Sequence, residues 1–145
     1  MYLLAIYFIY STIALASGYY HAIKKQNPFG LTPWLFFIGS FVWGDALLLG
    51  LFWSIVSAMC VVFNQVHLFV FTYSVFWIIR SFGEVQYWMH QQFTSVIRDQ
   101  PETLWLHRFV RSSAVWFMYQ VFWQCFAVIS IVSSVFFGWV WINSL

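Results

Sequence analysis

The sequence predicts an all-α integral membrane protein, a bundle of four transmembrane helices. Two observations carry this fold class. The 145-residue chain is 63% hydrophobic and only 7% charged, whereas a soluble domain has roughly 25% charged residues. Its apolar residues also form stretches of about 20 residues or more, which is the length that an α-helix needs to cross a bilayer. The lipid bilayer is therefore the first partner that we predict.

The same composition excludes several function classes. A net charge of +2 without any basic run gives no footprint for a nucleic-acid partner. The two cysteines, Cys60 and Cys125, are too few for a disulfide framework and lack the CxxC spacing of redox or zinc sites. Hydrolase and nucleotide-binding motifs such as GxSxG, HExxH and glycine-rich phosphate loops do not occur. The sequence therefore favours a non-enzymatic role.

The first two predicted spans cover about residues 2–23 and 34–60, with a loop, KKQNPFGLTP, at 24–33. Two lysines, a glycine and two prolines make this loop polar and turn-rich. Both spans carry small residues at every fourth position, which are Ala14, Gly18 and Ala22 in the first and Ala46, Gly50, Ser54 and Ala58 in the second. Such small-residue ridges allow a neighbouring helix to approach closely in lipid.

The last two predicted spans cover about residues 66–82 and 113–142. No Asp, Glu, Lys or Arg occurs from Ala46 to Ile79, a stretch too long for one span, so we place a turn at about 61–65, around the polar pair Asn64-Gln65. The final span has a third small-residue ridge, made of Ala127, Ser130, Ser134 and Gly138. The whole chain is expected to form a single membrane domain.

A polar segment at about 83–111 separates the third span from the fourth. No proline or glycine occurs between residues 84 and 97, so the third helix is expected to continue to about Ile97. It would keep an apolar stripe made of Val85, Trp88, Met89, Phe93 and Val96. The fourth helix is expected to begin near Pro101 and to complete a cytoplasmic helical hairpin. The alternative is an amphipathic helix that bends away at Gly83 and lies on the membrane surface.

The basic residues predict the orientation of the chain. All six Lys and Arg residues lie in the 24–33 loop or between residues 80 and 111. Four spans place these two regions on the same side, which the positive-inside rule makes cytoplasmic. Both termini, Met1 and Leu145, and the 61–65 turn are then extracytoplasmic.

Asp45 is the sharpest candidate for a functional residue. It is the only charged residue of the predicted second span and would lie near the middle of the bilayer, where a charge costs on the order of 3 kcal/mol. Its hydrogen-bond partners at similar depth would be Thr72, Tyr73, Gln120 and Gln124. The carboxyl group is expected either to serve as a proton or cation site in transport, or to hold the helices in register.

A second candidate site lies at the membrane boundary. Arg80 and Glu84 are four residues apart on a helix and are expected to pair, either as an anchor or as part of a site. His90 and His107 would be nearly level in the predicted hairpin and could join Glu84 as metal or haem ligands. However, HxxxH and HExxH spacings are absent and helical phase separates Glu84 from His90, so we assign no metal site and leave the cofactor open.

Three functions follow from these observations. The leading hypothesis is a non-enzymatic assembly or accessory subunit that packs with itself or with other membrane proteins, because small-residue ridges are abundant. The second is a small oligomeric transporter or channel that uses Asp45. The third is a haem- or quinone-binding membrane anchor that uses His90 and His107. Transport predicts a polar path through the protein, whereas an assembly role predicts a dry core.

Overall fold

Four long α-helices carry the fold. The computed structural model describes residues 2–95 and 97–144. Its helices are α1 (Tyr2–Gly18, continued by a π-helical turn at Tyr19–Lys24), α2 (Trp43–Val62), α3 (Val66–Phe93) and α4 (Ala114–Ile142). All four are long and apolar enough to cross a membrane. The predicted all-α class with four membrane helices is therefore confirmed, and the chain is a multi-pass membrane protein.

The chain divides into two compact units, Met1–Val70 and Phe71–Leu145. The first unit pairs α1 with α2, and the second pairs the larger part of α3 with α4. The prediction that the two units form a single membrane domain stays a prediction.

In the first unit, α1 and α2 pack antiparallel through small residues. A Cβ atom at Gly18 would lie 2.4 Å from the backbone nitrogen of Leu47, and one at Gly50 would lie 2.6 Å from that of Leu15. Real Cβ atoms do not approach a backbone so closely, so only glycine allows this helix separation. The two predicted ridges therefore serve contacts within the chain.

The predicted second span is wrong at its start, because residues 34–42 are not part of a continuous helix. A 3-10 helix covers Pro33–Ile38 and ends at Gly39, which has the left-handed φ of 77°. The backbone then returns antiparallel to the segment that precedes the 3-10 helix, with one isolated bridge between Leu31 and Val42. Thr32 N–H donates to the Phe41 carbonyl at 2.9 Å, and Gly44 N–H donates to the Pro28 carbonyl at 2.8 Å. We call residues 28–44 the re-entrant hairpin.

The tip of the re-entrant hairpin lies deep alongside α1 and α2. Three side chains of these helices donate hydrogen bonds to its carbonyl groups: Tyr10 Oη to Trp34 O (2.7 Å), Tyr7 Oη to Phe37 O (3.1 Å) and Trp53 Nε1 to Ile38 O (3.2 Å). Trp53 lies ten residues into α2, so the tip reaches about 15 Å from the start of that helix. Non-helical backbone persists at such depth only where protein groups satisfy it. These three donors explain why residues 34–42, which are apolar enough for a membrane helix, do not form a continuous α-helix.

The turn between α2 and α3 agrees with its prediction. It occupies residues 63–65, and Asn64 has the left-handed φ of 56° that asparagine tolerates better than most residues. The third helix begins at Val66, as expected.

The second unit is held together by aromatic side chains. Trp77 stacks on Trp123 with ring centroids 6.2 Å apart, and Trp88 stacks on Tyr119 at 4.6 Å. Nearer the other end, a Cβ atom at Gly138 would lie 3.0 Å from the Phe71 ring. The third small-residue ridge thus also serves packing within the chain, here against aromatic rings.

The polar segment differs from the predicted helical hairpin. α3 does run on past Arg80 and passes unbroken through Gly83, but it ends at Phe93 rather than near Ile97. The backbone amides of residues 98 and 99 instead turn back to a side chain of α3, as described below. Val96, the last member of the predicted apolar stripe, lies outside the described residues, as do Met1 and Leu145.

The fourth helix also begins later than predicted, at Ala114 instead of near Pro101. Two short 3-10 helices, Pro101–Thr103 and Trp105–Arg108, occupy the intervening chain. Leu104 has an extended backbone that separates them, so no continuous helix forms. The Ser112 hydroxyl accepts the Ala114 N–H at 3.3 Å, whereas Ser113, the N-cap residue, makes no side-chain capping bond.

Candidate functional site

A cavity of about 590 Å³ lies beside the last turns of α3 in the second unit. It is lined by Gly83, Gln86, Tyr87, His90, Gln91 and Arg98. The first five follow the helical spacing i, i+3, i+4, i+7 and i+8, so they share one face of α3. Arg98 comes from the segment that turns back after the helix. We call this space the polar cavity.

Gln91 fixes the wall of the polar cavity. Its side chain is only 2% exposed. Its Oε1 accepts the backbone N–H groups of Arg98 at 3.0 Å and of Asp99 at 3.4 Å. Because only the oxygen of an amide can accept these bonds, the orientation of the side chain is settled. These two bonds do not use the Gln91 NH₂ group, which can only donate.

Asp99 ties the returning segment to both helices. Its carboxylate accepts a hydrogen bond from the Tyr87 hydroxyl of α3. Its backbone carbonyl accepts one from Trp116 Nε1 of α4 at 3.0 Å. Next to this point, Gln92 Nε2 donates to Gln120 Oε1 at 2.7 Å. Arg98 is thus carried by a short segment with anchors on two helices.

The predicted boundary pair lies one turn before the polar cavity. Arg80 Nη2 is 3.2 Å from Glu84 Oε1, in the i, i+4 arrangement expected from the spacing. Both side chains are partly buried, with 24% and 15% exposure. Arg80 therefore neutralises the charge of Glu84, which follows the lining residue Gly83 in the sequence.

The two predicted histidines have different surroundings. His90 is exposed and lines the polar cavity, whereas His107 lies on the 3-10 helix Trp105–Arg108 and is not part of the lining. The Nδ1 atom of His107 is buried without a hydrogen-bond partner among the described residues. Within residues 2–95 and 97–144, no three His, Cys, Asp or Glu side chains are grouped as metal ligands. Haem or metal binding through this pair stays a prediction.

Asp45 is not placed in the middle of a span, and that expectation is wrong. It is the third residue of α2, and its Oδ2 accepts the Phe41 N–H at 3.4 Å. Two residues earlier, Trp43 stacks on His21 at a centroid distance of 4.0 Å, near the lysine-bearing end of α1. The cause is the re-entrant hairpin, which shifts the start of α2 from residue 34 to residue 43.

The proposed partners of Asp45 belong to the second unit. Thr72 and Tyr73 are half-buried on α3, and Gln124 is exposed on α4. Gln120 accepts the hydrogen bond from Gln92. The joint site of Asp45 with these four side chains stays a prediction.

A second cavity, of about 460 Å³, lies in the first unit below the hairpin tip. It is lined by Leu3, Leu4, Ile6, Tyr7, Tyr10, Phe37, Val66, Phe69 and Val70. Both tyrosine hydroxyls of this lining donate to carbonyl groups of the tip. This space therefore offers apolar contact, in contrast to the polar cavity.

Sequence reasoning identified one of the six lining residues, His90. It did not predict the other five, which are Gly83, Gln86, Tyr87, Gln91 and Arg98. A polar stripe at residues 83, 86, 87, 90 and 91 is visible in the sequence and indicates a polar helix face. The pattern does not predict that residues 97–99 return over that face. Their return depends on hydrogen bonds to the buried Gln91 side chain.

Comparison of the chain with protein-family models, with curated proteins and with solved structures found no match.

Proposed function

We propose that this protein is a non-enzymatic accessory membrane subunit that binds a small polar group in the polar cavity. The observation that carries the proposal is the cavity wall itself. One cationic residue, Arg98, and three residues with N–H donors, Gln86, His90 and Gln91, line a space of about 590 Å³. This volume is within the usual range of small-ligand sites, roughly 300–1,000 Å³.

The wall is organised in advance of any ligand. The segment carrying Arg98 is held by Gln91, Tyr87 and Trp116 through four hydrogen bonds to residues 98 and 99. A site whose loop is already ordered loses less entropy when a ligand binds. Such a wall is suited to holding a group in place.

The alternatives have less support. The small-residue ridges that motivated assembly with partner helices are used for packing inside each unit, as Gly18, Gly50 and Gly138 illustrate. The transport hypothesis relied on Asp45 at mid-span, and that carboxylate lies in the first turn of α2. The buried apolar side chains of the two units, among them Leu35, Ile38, Trp53 and Trp77, are typical of dry cores. An accessory role that works through the polar cavity is consistent with all three points.

Gly83 offers a matched pair of variants to test this function. A Cβ atom there would meet no other atom within 4 Å, so substitution does not disturb the helix contacts. We expect Gly83→Ala to leave the cavity open and Gly83→Trp to fill it. Native mass spectrometry of each protein, purified in mild detergent, reports bound small molecules as discrete mass increments.

The wild type and Gly83→Ala should carry the same mass increment, and Gly83→Trp should lose it. An increment that survives in Gly83→Trp, or its absence from the wild type, contradicts binding in the polar cavity. Circular dichroism of the three proteins checks that their helices are equally formed.

A further inference from the structure

The lining of the polar cavity carries one formal charge. Arg98 is the only formally charged residue of the lining. Two acidic residues adjoin the lining: Glu84, which pairs with Arg80 at 3.2 Å, and Asp99, whose carboxylate accepts the hydroxyl of the lining residue Tyr87. No ion pair joins Arg98 to a carboxylate in the part of the chain that the structure describes. Arg98 therefore brings to the lining a positive charge that is not held in an ion pair among the described residues.

The uncharged groups of the lining add donors to this charge. Gln91 uses its oxygen for two backbone N–H groups and keeps its NH₂ group as the donor. The amide of Gln86 and the imidazole of His90 supply further N–H donors on the same face of α3. A guanidinium on the same cavity wall as amide and imidazole N–H donors is suited to binding an oxyanion, and arginine matches phosphate by two parallel hydrogen bonds.

The position of the cavity near the end of a membrane helix indicates which class of anion it could bind. It lies at the polar end of the long apolar helix α3, after the last uncharged stretch of that helix. Phosphate groups of lipids are the anions present at such a boundary, and basic residues near it attract anionic lipids. We propose that the polar cavity binds a phosphate-bearing anion, with Arg98 as its charged anchor and Gln91 as its buried donor. This inference rests on the proposed function and names the ligand class of the same site.

Nanodiscs of equal parts phosphatidylglycerol and phosphatidylcholine provide the test. Native mass spectrometry of protein released from them gives the ratio of the anionic to the zwitterionic lipid that stays bound. We expect the wild type to retain phosphatidylglycerol selectively and Arg98→Gln to lower this ratio by about tenfold, as loss of one charge-assisted interaction does. Arg108→Gln is the matched control. Arg108 is exposed on the same polar segment, and its substitution removes an equal charge.

Gln91→Glu protects the test against misfolding of Arg98→Gln. The new carboxylate keeps the oxygen that accepts the N–H groups of residues 98 and 99, but it replaces the donor with a negative charge. We expect it to abolish the selectivity for phosphatidylglycerol while the fold is kept. Equal retention of both lipids by the wild type, or an equal loss in Arg108→Gln and Arg98→Gln, overturns the proposal.

A second arm identifies the source of the phosphate. Glycerol phosphate is added to the protein in pure phosphatidylcholine nanodiscs, and its retention is measured in the same way. Retention that depends on Arg98 supports a soluble phosphate ligand, whereas retention of phosphatidylglycerol alone supports a lipid headgroup. If Gly83→Trp abolishes all binding but Arg98→Gln changes no ratio, the proposed function stands and the phosphate inference fails.

Discussion

Single glycines have opposite roles in this protein, although Gly18, Gly50 and Gly83 all lie in long helices. Gly18 and Gly50 let α1 and α2 approach so closely that an added methyl group would overlap backbone atoms of the other helix. Gly83 faces open space at the wall of the polar cavity. The local sequence does not reveal the difference, because each glycine stands within a stretch that is otherwise compatible with a helix. Only the neighbouring helix distinguishes them.

Alanine substitution should therefore change stability in opposite directions at these positions. We expect Gly50→Ala to destabilise the protein by about 1–3 kcal/mol, since its Cβ would lie 2.6 Å from the backbone nitrogen of Leu15. Gly83→Ala should stabilise it by up to about 1 kcal/mol through helix propensity alone. Unfolding in a denaturing detergent, followed by tryptophan fluorescence, measures both. Equal effects of the two substitutions would contradict the packing described for α1 and α2.

Gln91 shows why the candidate site was only partly predictable at the level of residues. By composition it is an ordinary glutamine near the end of a helix, in a pair with Gln92. Its burial arises because residues 98 and 99 direct their backbone N–H groups at its oxygen. Such a long-range hydrogen bond leaves no periodic pattern in the sequence.

At the scale of elements, the re-entrant hairpin depends on a few donors rather than on hydrophobicity. Its tip, WLFFI, is as apolar as a membrane helix, and hydropathy alone cannot distinguish the two. The hairpin forms in an apolar setting only where its carbonyl groups, which lie outside a regular α-helix, accept hydrogen bonds from other protein groups. Tyr7, Tyr10 and Trp53 supply these partners from the adjoining helices.

Removal of one such hydroxyl should loosen the hairpin. We expect Tyr10→Phe to destabilise the first unit by about 1–3 kcal/mol, because the Trp34 carbonyl loses its 2.7 Å hydrogen bond. Tyr2→Phe is the control, since Tyr2 is 89% exposed. Unfolding midpoints of the two variants provide the comparison. Indistinguishable midpoints would show that the hydroxyl does not hold the tip.

Elements with strong local signals were predicted well. The turn at residues 63–65 and the start of α3 at Val66 follow from a polar Asn-Gln pair between two apolar stretches. The predicted end of α3, near Ile97, lies four residues after the observed one, and the predicted start of α4, near Pro101, lies thirteen residues before the observed one. There the Gln91 side chain accepts backbone N–H groups of residues 98 and 99, and the Ser112 hydroxyl accepts the Ala114 N–H. Such side-chain bonds compete with the helical continuation that the sequence also allows.

At the scale of the whole molecule, the distribution of charge predicts orientation. All six basic residues lie in the 24–33 loop or between residues 80 and 111. From the positive-inside rule we expect residues 80–111 on the cytoplasmic side and the turn around Asn64 on the opposite side.

Single cysteines test this orientation in a variant without Cys60 and Cys125. We expect Asn64→Cys to react with a membrane-impermeant maleimide added to intact cells and Gln100→Cys to react only after the cells are opened. Both positions are exposed, so accessibility within the protein does not bias the comparison. Labelling of position 100 in intact cells would contradict the predicted orientation.

Nuclear magnetic resonance tests directly whether the polar cavity is the binding site that we propose. Phosphatidylglycerol is increased stepwise in phosphatidylcholine nanodiscs that hold the isotope-labelled protein. The backbone amide signals of the six lining residues should shift together and saturate with one apparent dissociation constant. The signals of Lys24 and Lys25, which are exposed basic residues at the end of α1, should shift only gradually and without saturation. Saturating shifts at these lysines, with unchanged signals around the polar cavity, would contradict the claim.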